Sequence, residues 1–220
     1  MSIVLEHPDT AAVDRAGLAR AVQLIEARQS VRRYAEQDID DDVLAQLLHC
    51  ATRAPSAHNR QPWRFAVLRH DGAKATLAAA MGDRLRRDRL ADGDGHAEID
   101  ADVARSAARI TGAPVVILVA SSLADMDAYP DERRRTAEAA MAMQSTAMAV
   151  QNLLLAASAA GLGACWMCAP LFCPDTARRA LAIPLDWQPQ ALVTLGIPHG
   201  PVKRRPRRGM REVVRQEVKP

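Results

Sequence analysis

The chain has 220 residues, a formal net charge of +3 and only 3% aromatic residues. This length suffices for one large domain or two small ones with a buried core. The scarcity of aromatic side chains argues against single-stranded nucleic acid binding, which depends on stacking platforms. The first ten residues lack the basic and apolar regions of a signal peptide, and the most apolar long segment, residues 137–160, carries Glu138 and Gln144. We therefore expect a cytoplasmic protein without a membrane span.

Helices and strands are predicted in mixed order along the chain. Helical spacing of apolar residues predicts five helices, at residues 10–29, 39–55, 71–85, 131–160 and 173–181. Short apolar runs predict four strands or extended segments, at residues 63–69, 114–121, 164–169 and 190–197. The polar, glycine-containing residues 89–100 predict a mobile lid over a substrate. This order favours an α+β fold with three layers, in which a mostly antiparallel sheet lies between helices.

The helix predicted over residues 131–160 is apolar on nearly all sides after Glu138. A helix of that kind needs partners on more than one side. A domain of this size can hardly supply them all, so we expect part of this helix to lie at a subunit interface.

The segment ARQSVRRY places Arg28, Ser30 and Arg32 at alternating positions after the first predicted helix. Two guanidinium groups and a hydroxyl on one side of an extended segment are suited to bind a phosphate or a planar polar ring. A solvated turn would show the same pattern. The basic residues 203–215 after the last predicted strand are a further candidate for the same phosphate.

The loop APSAHNRQPWRF carries Ser56, Asn59 and Gln61 just before a strand. Loops with many hydrogen-bonding side chains on a rigid strand edge are frequent site elements, and amides offer paired donors and acceptors to a heterocycle. His58 in the same loop is more typical of a surface histidine than of a catalytic one.

The run GLGACWMCAP contains a C-x-x-C pair, Cys165 and Cys168. Two alternatives are a thiol–disulfide redox centre and half of a zinc site. The redox motif normally opens a helix, and we expect none here because the pair runs into Ala-Pro. No second C-x-x-C or histidine pair is in register, so we expect no metal and interpret both cysteines as small apolar packing residues.

Together, the four motifs R-x-S-x-R, A-P-S-x-x-N-x-Q-P-W, G-L-G-A-C-W and G-x-P followed by basic residues resemble the flavin-dependent nitroreductase family. The likeness runs from about Arg28 to Val214. It implies a single FMN-binding domain over residues 28–220, preceded by a helical extension over residues 1–27. It also implies an interlocked homodimer whose two flavin sites are built from both chains.

The resemblance assigns cofactor contacts to two chains. One chain would contribute Arg28, Ser30 and Arg32 together with the tail arginines Arg205 and Arg207, or their neighbours Arg204 and Arg208. The partner chain would contribute the loop residues Pro55, Ser56, Asn59 and Gln61. One face of the flavin ring would be lined by Cys165, Trp166, Met167, Cys168 and Ala169. A backbone N–H near Cys168 or Ala169 would point at flavin N5, and no side chain would act as a catalytic acid.

The resemblance implies an oxidoreductase that passes hydride from NAD(P)H through FMN to a small acceptor such as a nitroaromatic, a quinone or a conjugated alkene. The second half of the chain also looks like the flavin-binding C-terminal domain of the ligase that builds coenzyme F-420. The shared features are the Tyr129–Asp131 turn, the G-L-G-x-C-W run and the segment Leu181–Pro189. This second likeness implies an alternative, the reduction of a dehydro precursor of that coenzyme. A further alternative is a flavin-binding or storage protein without turnover.

Overall fold

The computed structural model describes residues 13–202 and 204–214. A four-stranded sheet forms the centre, with every neighbouring pair antiparallel and the order β1-β2-β4-β3. Its strands are β1 (Trp63–Leu68), β2 (Val115–Ser122), β3 (Gly163–Met167) and β4 (Trp187–Gly196). All four predicted strands are confirmed. Strand β4 begins three residues earlier than its apolar run, because residues 187–189 continue the pairing with β2 beyond a register shift.

The central strand β2 is buried along all eight of its residues. Side chains on a strand alternate between the two faces of the sheet. Val115 and Ile117 accordingly belong to one apolar cluster, and Val116 and Leu118 belong to another. A strand that is apolar on both faces requires cover from helices on both sides, which explains the three layers.

Eight α-helices lie in the described residues: α1 Arg15–Ala27, α2 Asp41–Thr52, α3 Asp71–Ala91, α4 His96–Thr111, α5 Glu132–Ala159, α6 Ala169–Phe172, α7 Pro174–Ala180 and α8 Met210–Val213. Helices α2 and α5 supply buried residues to the cluster on one face of the sheet. Helices α3, α4 and α7 supply those on the other face. The predicted α+β fold with three layers is confirmed.

Helix α5 has 28 residues and is about 42 Å long at 1.5 Å per residue. Its buried stripe includes Ala142, Ala149, Val150 and Leu153. The opposite side exposes apolar side chains such as Met143 and Met148 (about 45% and 40% exposed). Within one chain this helix is therefore covered on one side only.

Residues 89–100 do not form the mobile, irregular segment that we predicted. Helix α3 continues to Ala91 and α4 begins at His96, so only a four-residue turn separates two helices packed side by side. Arg89 fastens this turn through ion pairs with Asp94, Glu98 and Asp102. Because the turn is rich in glycine and aspartate, the sequence analysis extended it into α4 and did not recognise the helical spacing of apolar residues there.

Helix α1 confirms helical structure in the predicted N-terminal extension, whose residues 1–12 lie outside the described part. The division at residues 27 and 28 stays a prediction. Among the described residues, no helix combines the length and the apolar character that crossing a bilayer requires.

The segment after α1 lies along the free edge of β3. Ser30 forms a parallel bridge with Ala164, and the Val31 N–H donates to the Ala164 carbonyl at 3.0 Å. Gly163 makes this approach possible, because a Cβ atom built there would lie 2.6 Å from the Cβ of Val31. The edge of the sheet thus fixes the backbone of residues 30 and 31.

We expect Gly163→Ala to lower the free energy of unfolding by about 1–3 kcal/mol, because the added methyl group overpacks a backbone contact that cannot move aside. The matched control is Gly72→Ala, whose Cβ would meet nothing within 4 Å. It should change stability by no more than about 1 kcal/mol, in the stabilising direction. Urea denaturation measures both, and equal stability of the two variants would contradict the role given to Gly163.

Candidate functional site

The extended segment from Arg28 to Arg32 turns one side towards the core and the other towards solvent. Val31 is buried between its exposed neighbours Ser30 and Arg32, and Arg28 is half-buried. Since side chains alternate along an extended backbone, fixing Val31 against β3 presents the polar side chains outwards. The predicted alternation is confirmed for Ser30 and Arg32 but not for Arg28, which is as half-buried as its neighbour Gln29.

A cavity of about 280 Å³ opens beside this segment. Its lining consists of Ser30, Val31, Arg32, Arg33, His199, Pro201, Val202 and Arg205. The structure thus brings the segment after α1 together with the tail after β4, about 170 residues later in the chain. No carboxylate lies in this lining, so the positive charge of its arginines is available to an anion.

A second cavity, of about 290 Å³, lies beside the same segment and is lined in part by Arg28 and Arg204. Leu154 and Ser158 from the C-terminal half of α5 also line it. Arg207 is exposed and lines neither cavity. The tail arginines that meet the segment in the described part of the chain are therefore Arg204 and Arg205.

Tyr34 braces the segment from below. Its hydroxyl donates to the Val31 carbonyl at 2.6 Å and lies 2.7 Å from the Thr194 hydroxyl on β4. Burial raises the pKa of Tyr34 well above its ordinary value, although the hydrogen bond with Thr194 opposes this rise. The neutral tyrosine therefore ties the segment to the centre of the sheet.

The loop from Pro55 to Gln61 has an unusual backbone. His58, Asn59 and Gln61 all have positive φ angles near 50°, a conformation that costs residues other than glycine about 1–3 kcal/mol each and clusters at functional sites. The Ser56 hydroxyl holds the loop closed by accepting the Gln61 N–H at 3.0 Å. The sequence predicted the polar loop but could not show this strain.

The loop and the arginine segment contact α5 at separate places. The Ala57 N–H donates to the Ser145 hydroxyl, whereas the cavity beside Arg28 includes Leu154 and Ser158. These positions on α5 are nine to thirteen residues apart, or about 14–20 Å along its axis. Neither of the two arginine-lined cavities contains a residue of the loop, so the predicted cofactor contacts fall into two separate halves within one chain.

The wall predicted at residues 165–169 consists of the end of β3 and the start of α6. Cys165 is buried in the sheet, and Trp166 and Met167 face opposite apolar clusters. Cys168 is exposed, and its sulfur accepts a hydrogen bond from the Trp166 indole at 2.9 Å. The packing role that we predicted for both cysteines is therefore wrong for Cys168.

The expectation that no helix follows the C-x-x-C pair also needs correction. Cys168 is the N-cap of α6, a helix of only four residues. Burial raises the pKa of the Cys165 thiol, against the opposing charges of Arg32, Arg109 and Arg28. This buried thiol is a poor nucleophile, because the thiolate is the reactive form. The described residues contain no cluster of His, Cys, Asp or Glu suited to a metal ion.

Two arginines near this region were missed by the sequence analysis. Arg105 and Arg109 lie one turn apart on α4 and line a depression shared with Arg32 and Arg33. Their i,i+4 spacing is present in the sequence, but it places two side chains together only on a helix. Helix α4 was not predicted, because residues 89–100 were interpreted as a lid.

Comparison with known proteins decides the family. Residues 25–197 match the Nitroreductase family, and this span includes α2, α5 and the whole sheet. The chain belongs to the nitroreductase family. It is therefore an NAD(P)H-dependent flavin oxidoreductase with FMN as its cofactor.

Individual known proteins resemble the chain over most of its length. It is 30% identical over 185 residues to the 5,6-dimethylbenzimidazole synthase of Rhodospirillum rubrum, covering 80% of each protein. It is 31% identical over 195 residues to the NADH dehydrogenase of Thermus thermophilus, covering 78% of this chain and 83% of the relative. A nitroreductase from Desulfovibrio desulfuricans crystallised in complex with FMN shares its fold, with a TM-score of 0.68, 27% identity and coverage of 91% and 98%.

We expect Tyr34→Phe to lower the free energy of unfolding by about 1–3 kcal/mol, because the Val31 carbonyl loses a buried donor. In the wild type, stability should fall above about pH 10, since the unfolded chain releases the Tyr34 proton there while the folded chain retains it. The difference between wild type and Tyr34→Phe should therefore narrow as pH rises from about 9 to 11. Denaturation at each pH measures it, with Tyr129→Phe as the control for the other tyrosine. A constant difference would contradict this role.

Proposed function

We propose that this nitroreductase-family enzyme holds FMN along the segment Arg28–Arg32 and transfers hydride from NADH or NADPH to a small acceptor. Nitroaromatics, quinones and conjugated alkenes are the acceptors we expect. The observation that carries the proposal is the pair of arginine-lined cavities beside this segment, neither of which contains a carboxylate.

The residues present fit FMN. A guanidinium group binds a phosphate through two parallel hydrogen bonds, and Arg32 and Arg205 share one cavity. Arg28 and Ser30 on the same segment would bind the polar edge of the flavin ring. Although burial raises the pKa of the Cys165 thiol on β3, Arg32 and Arg28 lie close enough for their charges to oppose this rise. The end of β3 and the start of α6 would therefore line the flavin ring beside these cations.

The chain contributes position and charge, and the cofactor supplies the redox chemistry. When bound, FMN would supply the hydride-transfer chemistry, with N5 as the reacting atom. The arginines of the segment would favour negative charge in the site by fixed electrostatic attraction. Ala169 is the first residue of α6, and its N–H has no acceptor within that helix. We therefore assign to this amide the contact with flavin N5.

We further propose that two copies of the chain complete each site. The loop from Pro55 to Gln61 lines neither arginine cavity of its own chain, and it contacts α5 about 14–20 Å along the axis from the positions that line the cavity with Arg28. A second copy would bring its loop to them, which gives the strained backbone of this loop a purpose. Large apolar side chains stand exposed on several elements and would be covered in such a dimer: Leu18, Val22 and Ile25 on α1, Met143 and Met148 on α5, and Met210 and Val213 on α8.

Other functions of the same site stay open to test. The likeness of the segment Leu181–Pro189 to the F-420 ligase domain supports a dehydro precursor of that coenzyme as an alternative acceptor. A storage protein would bind FMN without turnover. A thiol oxidoreductase is disfavoured, because Cys165 is buried and Cys168 is exposed.

We expect purified protein to be yellow, to contain about one FMN per chain, and to bleach when NADH or NADPH is added without oxygen. Colour should return when a quinone or a nitroarene is added, because the acceptor reoxidises the cofactor. Absorbance at the flavin band and mass spectrometry of the released ligand measure this.

Three results would separate the alternatives. Protein that is colourless and cannot be reconstituted with FMN would contradict the proposed function. FMN that stays oxidised with either nucleotide would indicate storage. Faster reoxidation by a dehydro precursor of F-420 than by any quinone or nitroarene would favour the second acceptor.

A further inference from the structure

A third cavity, of about 390 Å³, lies between the arginine segment and α4. It is lined by Arg32, Arg33, Arg105, Ala108 and Arg109. Four of its five lining residues are arginines, and they come from two elements about 70 residues apart in the chain. We call this depression the α4 arginine pocket.

The positive charge of the α4 arginine pocket is poorly compensated. Arg105 pairs with Asp102, whereas Arg32, Arg33 and Arg109 form no ion pair with any carboxylate of the described residues. Like charges four residues apart on a helix repel each other and destabilise it slightly. An anion placed among these side chains would relieve that repulsion and gain charge-assisted hydrogen bonds.

The pocket is placed beside the reacting part of the site. Arg109 is half-buried and lies close enough to Cys165 for its charge to lower the pKa of that thiol, as does the charge of Arg32. Cys165 belongs to the strand that we expect to wall the cofactor. An anion bound to Arg105 and Arg109 would therefore be next to the flavin.

The pocket adjoins the cavity proposed for the FMN phosphate, and the two share Arg32 and Arg33. Arg205 lines only the cavity on the side of the tail after β4, whereas Arg105 and Arg109 line only the pocket on the side of α4. One FMN phosphate does not need both groups of arginines. This separation rests on the proposed function, in which the tail side holds the cofactor.

We propose that the α4 arginine pocket binds the anionic group, phosphate or carboxylate, of a substrate that reacts at the flavin. Two sources offer this chemistry. One is the additional phosphate by which NADPH differs from NADH, and the other is an acid group on the acceptor. In either case Arg105 and Arg109 determine specificity for the substrate that carries the additional anionic group.

The test compares the holoenzyme with its Arg105→Gln/Arg109→Gln variant. Arg87→Gln is the matched control, since Arg87 is exposed on the neighbouring helix α3 and does not line the pocket. Steady-state kinetics with a neutral quinone compare NADPH with NADH. Kinetics at saturating donor compare 4-nitrobenzoate with 4-nitrobenzamide, which are similar in shape and differ in charge. Calorimetric titration of the oxidised enzyme with NADP⁺, NAD⁺ and both nitro compounds gives a readout independent of turnover.

We expect the double variant to raise KM and Kd about tenfold or more for the member of one pair that carries the additional anionic group, as loss of two charge-assisted contacts implies. The KM and Kd of the member without that group should change less than about twofold. The affected pair identifies the source of the anion. Added salt should lower the affinity of the wild-type enzyme for the same ligand, because the pocket is partly exposed and its charges are screened.

Two results would overturn the proposal. Equal changes for the two members of each pair, with and without the additional anionic group, in kinetics and in calorimetry, would show that the pocket does not recognise that group. Loss of FMN from the double variant, but not from Arg87→Gln, would show that the pocket belongs to the cofactor phosphate. A wild type without turnover would instead refute the proposed function, and calorimetry would still decide the pocket.

Discussion

The contact between Val31 and the edge of β3 is the constraint on which the rest of the site depends. One backbone hydrogen bond to Ala164 and the missing side chain of Gly163 set the position of this segment. Because side chains alternate along an extended backbone, burying Val31 makes its neighbours Ser30 and Arg32 face solvent. Tyr34 then anchors the segment to β4. The chemistry of the site thus follows from how a short extended segment docks onto a sheet edge.

Much of this architecture could be predicted from local patterns. The strands are short apolar runs bounded by breakers, and α5 is a long apolar helix, so both features are carried by neighbouring residues. Helix α4 was missed because a turn rich in glycine and aspartate precedes it. The ion pairs of Arg89 that order this turn connect residues on both sides of it, and a local sequence pattern does not show such pairs. The position of α6 after Cys168 and the exposure of Cys168 also depend on tertiary packing, which the local pattern does not contain.

The arginines and the polar loop could be identified from the sequence, but their arrangement could not. Spacing along the chain does not show that Arg205 meets Arg32, nor that Ser145 and Ser158 contact different halves of the site. The length of α5 produces that separation, since the two halves contact it at different turns. A rigid helix about 42 Å long carries the two halves on one chain and keeps them apart. In the proposed dimer, its exposed Met143 and Met148 would lie at the surface through which a second chain joins the two halves.

Subunit complementation tests this composite site most directly. Arg28→Gln/Arg32→Gln disables one half, and Asn59→Asp/Gln61→Glu disables the other while keeping residues of similar shape in the loop. Each variant alone should have little FMN-dependent turnover. After the two are unfolded together and refolded with FMN, about a quarter of the sites should be intact, because half of the dimers are mixed and each mixed dimer has one complete site. Recovery of about a quarter of the wild-type activity is the predicted result, and no recovery although mixed dimers form would contradict a site built from two chains.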